Sequence, residues 1–213
     1  MGVRKVVTPS GRGIRGYFPS RKMGRMIEWE SLLERDAILL LEFSPAVVRY
    51  REQPARIDFY LDGEPRRYIP DFEAELANDG ITHIEVKPAS KLAKPEIAHR
   101  YWAIARHYEK GDTGFQILTE KELRAEPRLS NLRLLAYHQP KIDDEPTLVD
   151  SRQKLALLPA KTIAGAAAVL GGINKVYQLL AANLLACNLD EPITPDTSIY
   201  LQDKGGCHDA FLV

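Results

Sequence analysis

The stretch from Arg66 to Val86 constrains the fold most, because it contains two strand patterns joined by a hairpin turn. Asn78-Asp79-Gly80 carries the residues that tight hairpin turns favour. The pattern predicts one strand from Arg66 to Glu75 and a second from Thr82 to Val86, which Pro88 closes. The turn folds these strands together, so we expect residues at their far ends to lie side by side.

The flanking patterns predict an α/β unit that ends near residue 135. Apolar residues at helical spacing indicate a first helix, from Glu28 to about Phe43, which Pro45 ends. The further expected elements are strands at 47–50, 55–61 and 115–119, a helix from Pro95 to about Glu109, and a short helix at 120–125. A helix, three meandering strands, a helix and a strand make a compact α/β arrangement.

The last third of the chain has a different character. A segment rich in Pro and Asp predicts a linker, and two Ala/Leu-rich helical patterns, 159–170 and 174–187, flank Gly171-Gly172. With turn residues at 193–201, these predict a small, mostly helical, winged-helix-like C-terminal domain. The alternative is a helical hairpin for protein contacts. Because these helices contain only two basic residues, Lys161 and Lys175, we expect partner docking rather than base recognition.

Four segments are therefore expected. They are a basic N-terminal arm at 1–27, an α/β domain at 28–138, a linker at 139–150 and the C-terminal domain at 151–213.

Composition excludes disordered and collagen-like chains, since 45% of the residues are hydrophobic and 27% are charged. Two cysteines, twenty positions apart, predict neither a disulfide framework nor a zinc site. The longest apolar run, 163–173, is too short to span a bilayer. We therefore expect a cytoplasmic protein without a membrane segment.

Charge is unevenly distributed, although the formal net charge is +0. No acidic residue precedes Glu28, and an acid-free basic arm is typical of a segment that follows DNA phosphates. A merely solvated tail is the alternative. The candidate DNA-binding residues are Arg12, Arg15, Arg21, Lys22 and Arg25 in the arm, with Lys91 and Lys94, and also Arg100, farther along the chain.

The two predicted hairpin strands carry an acidic constellation. Asp71 lies near the end of the first strand, while Glu85 and Lys87 stand two residues apart on the second and so share a face. Carboxylates of this kind suit Mg²⁺ or Mn²⁺, which support phosphodiester hydrolysis. The structural alternative is an exposed ion pair beside a Pro-Asp turn.

Glu34 adds a third carboxylate to this hypothesis. It lies on the apolar stripe of the first predicted helix, where a buried acid needs a partner. Glu30, one turn earlier, is the competing candidate. We prefer Glu34 because apolar residues surround it.

Five sequence blocks resemble the TnsA transposon endonucleases, which belong to the PD-(D/E)xK superfamily. In chain order, and in the order of the family, the blocks are Ser20-Arg21-Lys22-Met23-Gly24-Arg25, Glu30-Ser31-Leu32-Leu33-Glu34-Arg35-Asp36, Arg51-Glu52-Gln53-Pro54, Tyr68-Ile69-Pro70-Asp71-Phe72 and Ile84-Glu85-Val86-Lys87-Pro88. The resemblance covers residues 20 to about 135, and the helices after residue 155 are more loosely similar. It implies a restriction-endonuclease-like α/β core with a mixed sheet flanked by helices.

The resemblance also implies roles for individual residues. Glu34, Asp71, Glu85 and Lys87 would be catalytic, and Gln53 would support them from an adjacent strand. The metal ligands would be Glu34, Asp71, Glu85 and the backbone carbonyl of Val86, holding Mg²⁺ or Mn²⁺.

The implied function is cleavage of the 5′ ends of a transposon in double-stranded DNA. The implied partners are a TnsB-type DDE transposase, which acts on the 3′ ends, and a TnsC-type AAA+ regulator. Such a protein would associate with the bacterial nucleoid when active. The alternatives are a stand-alone nuclease of the same fold, in restriction, repair or phage-DNA processing, and a non-catalytic subunit of a DNA machine.

Overall fold

A computed structural model describes residues 14–140, 145–156 and 161–201, which divide into two compact units. Residues 14–41 and 47–124 form the first unit, and residues 42–46 with the described residues from 125 onward form the second. Each unit contains buried apolar residues. The elements of each are given in chain order below.

The first unit begins with a β-hairpin. Strand β1 (Gly16–Ser20) pairs antiparallel with β2 (Arg25–Trp29), and the pairing places Gly16 opposite Trp29. A Cβ on Gly16 would come within 2.5 Å of the Trp29 ring, so glycine is needed there. Phe18 and Ile27 are buried. The prediction of an arm up to residue 27 is therefore wrong for residues 16–27, because their alternate apolar side chains contribute to the core.

Helix α1 (Leu32–Phe43) is shorter than the predicted helix from Glu28. Residues 28 and 29 belong to β2, where their backbone groups pair with β1. Ala37, Ile38 and Leu41 on α1 are fully buried, as the apolar stripe predicts. Glu30 lies outside the helix, so the helical spacing argument for Glu30 fails.

A four-stranded mixed sheet forms the centre of this unit. Its strands are β3 (Val47–Glu52), β6 (Phe72–Leu76), β7 (Ile81–Val86) and β8 (Gly114–Leu118), in that spatial order. The pairs β3–β6 and β6–β7 are antiparallel, whereas β7–β8 is parallel. The predicted hairpin around Asn78-Asp79-Gly80 is confirmed as the β6–β7 connection, with Asp79 at a positive φ of 64°.

The predicted single strand from Arg66 to Glu75 is two strands. Strand β5 (Glu64–Tyr68) pairs with β4 (Ile57–Leu61) in a separate two-stranded sheet, and β6 begins only at Phe72. The break falls at Pro70, which has no N–H to continue a ladder. It leaves Asp71 at the junction, just outside the regular pairing.

Helix α3 (Pro95–Tyr108), preceded by the one-turn α2 (Ala89–Leu92), packs against the β4–β5 hairpin. A core cluster joins the aromatic and apolar side chains of these elements: Phe59, Tyr68, Tyr101, Ala103, Ile104 and Tyr108. The unit closes with α4 (Glu120–Leu123), whose N-terminus carries a capping box between Thr119 and Glu122. The result is a mixed sheet flanked by helices, as predicted.

The second unit is mostly helical. Its helices are α5 (Arg128–Tyr137), α6 (Glu145–Ala156), α7 (Ile163–Leu170) and α8 (Ile173–Ala181), and its two short strands are β9 (Leu185–Ala186) and β10 (Tyr200–Leu201), which pair antiparallel. Helices α7 and α8 meet at 110° through Gly171, whose φ of 76° closes α7. That angle suits a helix-turn-helix, but the winged-helix assignment stays a prediction.

Two expected boundaries differ from the structure. Helix α5 belongs to the second unit, so the first unit ends at Arg124 rather than at residue 138. Helix α6 begins at Glu145, inside the predicted linker at 139–150. Pro and Asp at 140–146 predict a loop, yet Pro146 is tolerated in the first turn of a helix. Within the described ranges no single helix is long and apolar enough to cross a membrane, although α7 and α8 together pass that test as a bent pair.

Candidate active site

A pocket of about 470 Å³ in the first unit brings together most of the predicted site residues. Phe72 of β6 pairs with Ile84 of β7, so Asp71 and Glu85 come next at the end of this pairing. Ten residues line the pocket: Gln53, Arg56, Arg67, Tyr68, Ile69, Asp71, Glu85, Lys87, Arg100 and Tyr101. The strand period therefore brought Asp71, Glu85 and Lys87 together as predicted.

Asp71 is fixed by the backbone on both sides. The side-chain oxygen Oδ2 of Asp71 accepts a hydrogen bond from the N–H of Val86 at 2.8 Å, and the backbone carbonyl of Asp71 accepts one from the N–H of Gln53 at 2.9 Å. Burial, and then the negative charge of Glu85, raise the pKa of Asp71 well above its ordinary value, although Lys87 acts in the opposite direction. A cation bound beside this carboxylate would stabilise its negatively charged form.

Glu85 is buried and receives three donors. The Tyr68 hydroxyl donates to Oε2 at 2.7 Å, while the Tyr101 hydroxyl and the Lys87 ammonium both contact Oε1, the latter at 2.6 Å. Burial and the charge of Glu85 raise the pKa of both tyrosines, so they stay protonated donors. Burial lowers the pKa of Lys87, but the carboxylates of Glu85, Asp71 and Glu34 together outweigh burial, so the pKa is raised.

The hydroxyls of Tyr68 and Tyr101 are contacts that the sequence analysis missed. Its spacing from Ile97 and Ile104 places Tyr101 on the apolar face of its helix, and the Tyr68 and Tyr101 rings do pack in the core, edge to face with centroids 6.4 Å apart. The available signal was the hydroxyl itself, because a buried tyrosine usually finds a hydrogen-bond partner.

Glu34 lies in the first turn of α1 and does not line the pocket. Its carboxylate accepts the N–H of Glu30 at 2.7 Å and the hydroxyl of Ser31 at 3.0 Å, while its own N–H donates to Ser31 Oγ at 3.1 Å. These contacts cap the helix. Burial raises the pKa of Glu34, and its charge acts on both Asp71 and Lys87. Glu34 thus combines a structural contact with an electrostatic one.

Gln53 stands beside Asp71 in an uncommon backbone conformation. Its φ of 43° lies in the left-handed region, which a non-glycine residue occupies at some cost. The preceding residue, Glu52, accepts two hydrogen bonds of 2.6 Å from the guanidinium of Arg25. This clamp and the bond from Gln53 to Asp71 hold the loop after β3 against the site.

The carboxylates of the pocket suit a hard divalent cation, which takes most of its remaining ligands from water and substrate. Among the described residues, no three His, Cys, Asp or Glu side chains are gathered closely enough to hold a metal ion by themselves. Mg²⁺ commonly takes one or two protein carboxylates and completes its shell with water and substrate phosphate. Asp71 and Glu85 match that pattern, whereas Glu34 stands apart from their pocket.

The predicted DNA-binding residues of the N-terminal segment have mostly structural contacts. Lys22 donates to the carbonyl of Leu41 at 2.8 Å, and Arg25 is paired with Glu52. Arg15 and Arg21 are partly buried in or beside the hairpin, and Arg12 lies outside the described residues. Lys91 and Lys94 are exposed but do not line the pocket. Arg56 and Arg67, which do line it, were not selected from the sequence.

Arg25→Ala should therefore destabilise the protein rather than weaken DNA binding. The change leaves the largely buried carboxylate of Glu52 without its bidentate partner, which costs about 1–2 kcal/mol. The free energy of unfolding, from urea titration, measures the first effect, and fluorescence anisotropy with a DNA duplex measures the second. Arg49→Ala, on the exposed side of β3, is the control. Weaker DNA binding with unchanged stability would show that Arg25 contacts DNA instead.

Comparison with known proteins finds one family model, which matches much of the first unit. Residues 44–120 match the family model described as the TnsA-like endonuclease N-terminal domain, which confirms the resemblance. The matched segment contains Gln53, Asp71, Glu85 and Lys87, whereas Glu34 precedes it. No curated protein matches the chain. The match supports a DNA endonuclease of the transposase type, and the mixed α/β sheet flanked by helices is consistent with a restriction-endonuclease-like core.

Proposed function

We propose that this chain, with its TnsA-like endonuclease domain, is the metal-dependent endonuclease subunit of a heteromeric transposase and cuts the 5′ ends of a transposon. One observation carries the proposal. Asp71, Glu85 and Lys87 line a single pocket at the end of the β6–β7 pairing, inside the matched segment. Two carboxylates and an ammonium on one sheet edge are the groups that phosphodiester hydrolysis needs.

Mg²⁺, or Mn²⁺ in its place, is the cofactor that these donors favour. Asp71 and Glu85 would hold it with the backbone carbonyl of Val86, and Glu34 would add negative charge from the start of α1. When bound, the cation activates a water molecule and offsets charge on the phosphoryl group. Tyr68 and Tyr101 orient the Glu85 carboxylate toward the pocket through their hydroxyl groups.

Lys87 is assigned to orientation and charge stabilisation rather than to proton abstraction. Its ammonium lies 2.6 Å from a Glu85 oxygen, and a contact of that kind favours the protonated form. An ammonium at this place donates a hydrogen bond to the attacking water or to a phosphoryl oxygen. It stabilises the negative charge that develops there during hydrolysis.

The partners follow from the proposed reaction. Cutting only the 5′ ends leaves the 3′ ends to another enzyme, which is the role of a TnsB-type DDE transposase, with a TnsC-type AAA+ regulator. On this proposal the second unit docks a partner, because α7 and α8 are rich in alanine and leucine and poor in basic residues. The reaction takes place in the bacterial cytoplasm, at the nucleoid, where the DNA is.

Strand-resolved cleavage of a labelled transposon-end duplex tests the proposal. With Mg²⁺ or Mn²⁺, we expect nicks at the 5′ ends when the transposase encoded beside this chain is present, and none in EDTA. A duplex with scrambled ends is the substrate control. Cleavage of any duplex by the chain alone would indicate a stand-alone nuclease. The absence of cleavage in the complete mixture, with the regulator added, would indicate a non-catalytic subunit.

A further inference from the structure

The pocket that holds Asp71 and Glu85 is also lined by three arginines, each from a different segment of the chain. Arg56 precedes β4, Arg67 lies on β5, and Arg100 lies on α3. All three are exposed at the surface. Three exposed arginines from separate segments of the chain therefore line one cavity.

The side chains that line the pocket carry more positive than negative charge. Lys87 is paired with Glu85 at 2.6 Å, which leaves Asp71 as the other acidic group on the lining, against the three arginines. An excess of positive charge around a cleft favours an anionic ligand and raises its local concentration.

These guanidinium groups are available for a ligand. Arg67 lies 3.9 Å from Asp58, but the two side chains are 75% and 80% exposed. A salt bridge this exposed contributes little to stability. Within the parts of the chain that the structure describes, no carboxylate lies within salt-bridge distance of Arg56 or Arg100. Arg25, in contrast, is held by Glu52 through two short hydrogen bonds.

We propose that Arg56, Arg67 and Arg100 form a phosphate-binding rim, which holds the DNA backbone beside the phosphate that is cut. The planar guanidinium fork binds two phosphate oxygens at once, so it fixes the position of a backbone as well as attracting it. The rim rests on the proposed function, because it places the cut strand over Asp71 and Glu85. It replaces the Lys22 and Arg25 contacts expected from the sequence.

The test compares two triple variants of the full chain that remove the same charge. One replaces Arg56, Arg67 and Arg100 with Gln. The control replaces Arg49, Arg66 and Arg106 with Gln; these are also exposed but do not line the pocket. Arg66 is a close match, because alternate residues of β5 point to opposite faces. Thermal unfolding establishes that both variants are folded.

Binding is measured in EDTA, by fluorescence anisotropy with a short DNA duplex over a series of salt concentrations. Each lost phosphate contact lowers the slope of log affinity against log salt by about 0.9. The rim variant should therefore lose roughly 2–3 from the slope, and the control much less. Equal losses in the two variants, or an unchanged slope in the rim variant, would overturn the proposal. So would displacement of the duplex by low concentrations of inorganic phosphate, which would indicate a small-anion site.

Failure of the rim and failure of the proposed function are distinguishable, because binding in EDTA does not require cleavage. If the complete transposase mixture cuts transposon ends but the rim variant binds DNA as the native chain does, the rim alone is wrong. If the slope falls as expected but no mixture cuts DNA, the endonuclease proposal is wrong and the rim stands.

Discussion

Replacing Asp71 with Asn should lower the rate of 5′-end cleavage by about 1,000-fold or more while the protein stays folded. Asn keeps an oxygen that can accept the Val86 N–H, which lies 2.8 Å from the native carboxylate. It removes the charge that a divalent cation needs. Single-turnover cleavage of a labelled transposon end, in the mixture in which the native chain is active, measures the loss.

Stability should not fall with this loss of activity. Asp71 and Glu85 place two carboxylates in one pocket, and burial together with the charge of Glu85 raises the pKa of Asp71. Removing one charge should leave the free energy of unfolding equal to the native value or above it, as is common at functional sites. Glu75→Gln makes the same charge change at an exposed position of β6 and should cleave normally. Cleavage by Asp71→Asn within about tenfold of the native rate would remove Asp71 from the site.

Glu34→Gln should separate the two roles of Glu34. The amide oxygen of Gln can still accept the Glu30 N–H or the Ser31 hydroxyl, so the start of α1 should remain capped. The negative charge that acts on Asp71 and Lys87 is lost. We expect cleavage to fall by about 100-fold, and the free energy of unfolding to stay within about 0.5 kcal/mol of the native value.

Ser31→Ala is the matched variant for the capping role. It removes the hydroxyl that bonds Glu34 but keeps the charge, so it should cost about 1 kcal/mol of stability and leave cleavage near the native rate. Urea titration and single-turnover cleavage of both variants give the comparison. Native cleavage by Glu34→Gln would mean that Glu34 caps the helix and does nothing in the reaction.

The local patterns of the sequence predicted much of the first unit. Asn78-Asp79-Gly80 predicted the hairpin, the period of two placed Glu85 and Lys87 on one face, and Pro95 marked the start of α3. Each of these signals depends on neighbours in the chain, which is why the sequence alone reveals them.

The predicted bounds of helices and strands were wrong where a distant strand pairs with the residues in question. The hairpin β1–β2 takes Glu28 and Trp29 from the predicted helix, since strand pairing with residues 16 and 17 satisfies their backbone. Likewise, the predicted strand from Arg66 to Glu75 divides at Pro70 because its two halves pair with different strands, β4 and β3. Local propensity does not specify which partner wins.

Local sequence patterns were enough to predict that Asp71, Glu85 and Lys87 meet, because one hairpin brings these three residues together. The residues that surround them come from distant parts of the chain and follow from the packing of the fold. The hydroxyls of Tyr68 and Tyr101 reach Glu85 because α3 packs across the β4–β5 hairpin. The same packing places Arg100 on the lining of the pocket, whereas Arg25 forms a salt bridge with Glu52. Long-range contacts, rather than sequence spacing, decide which charged side chains remain available for a ligand.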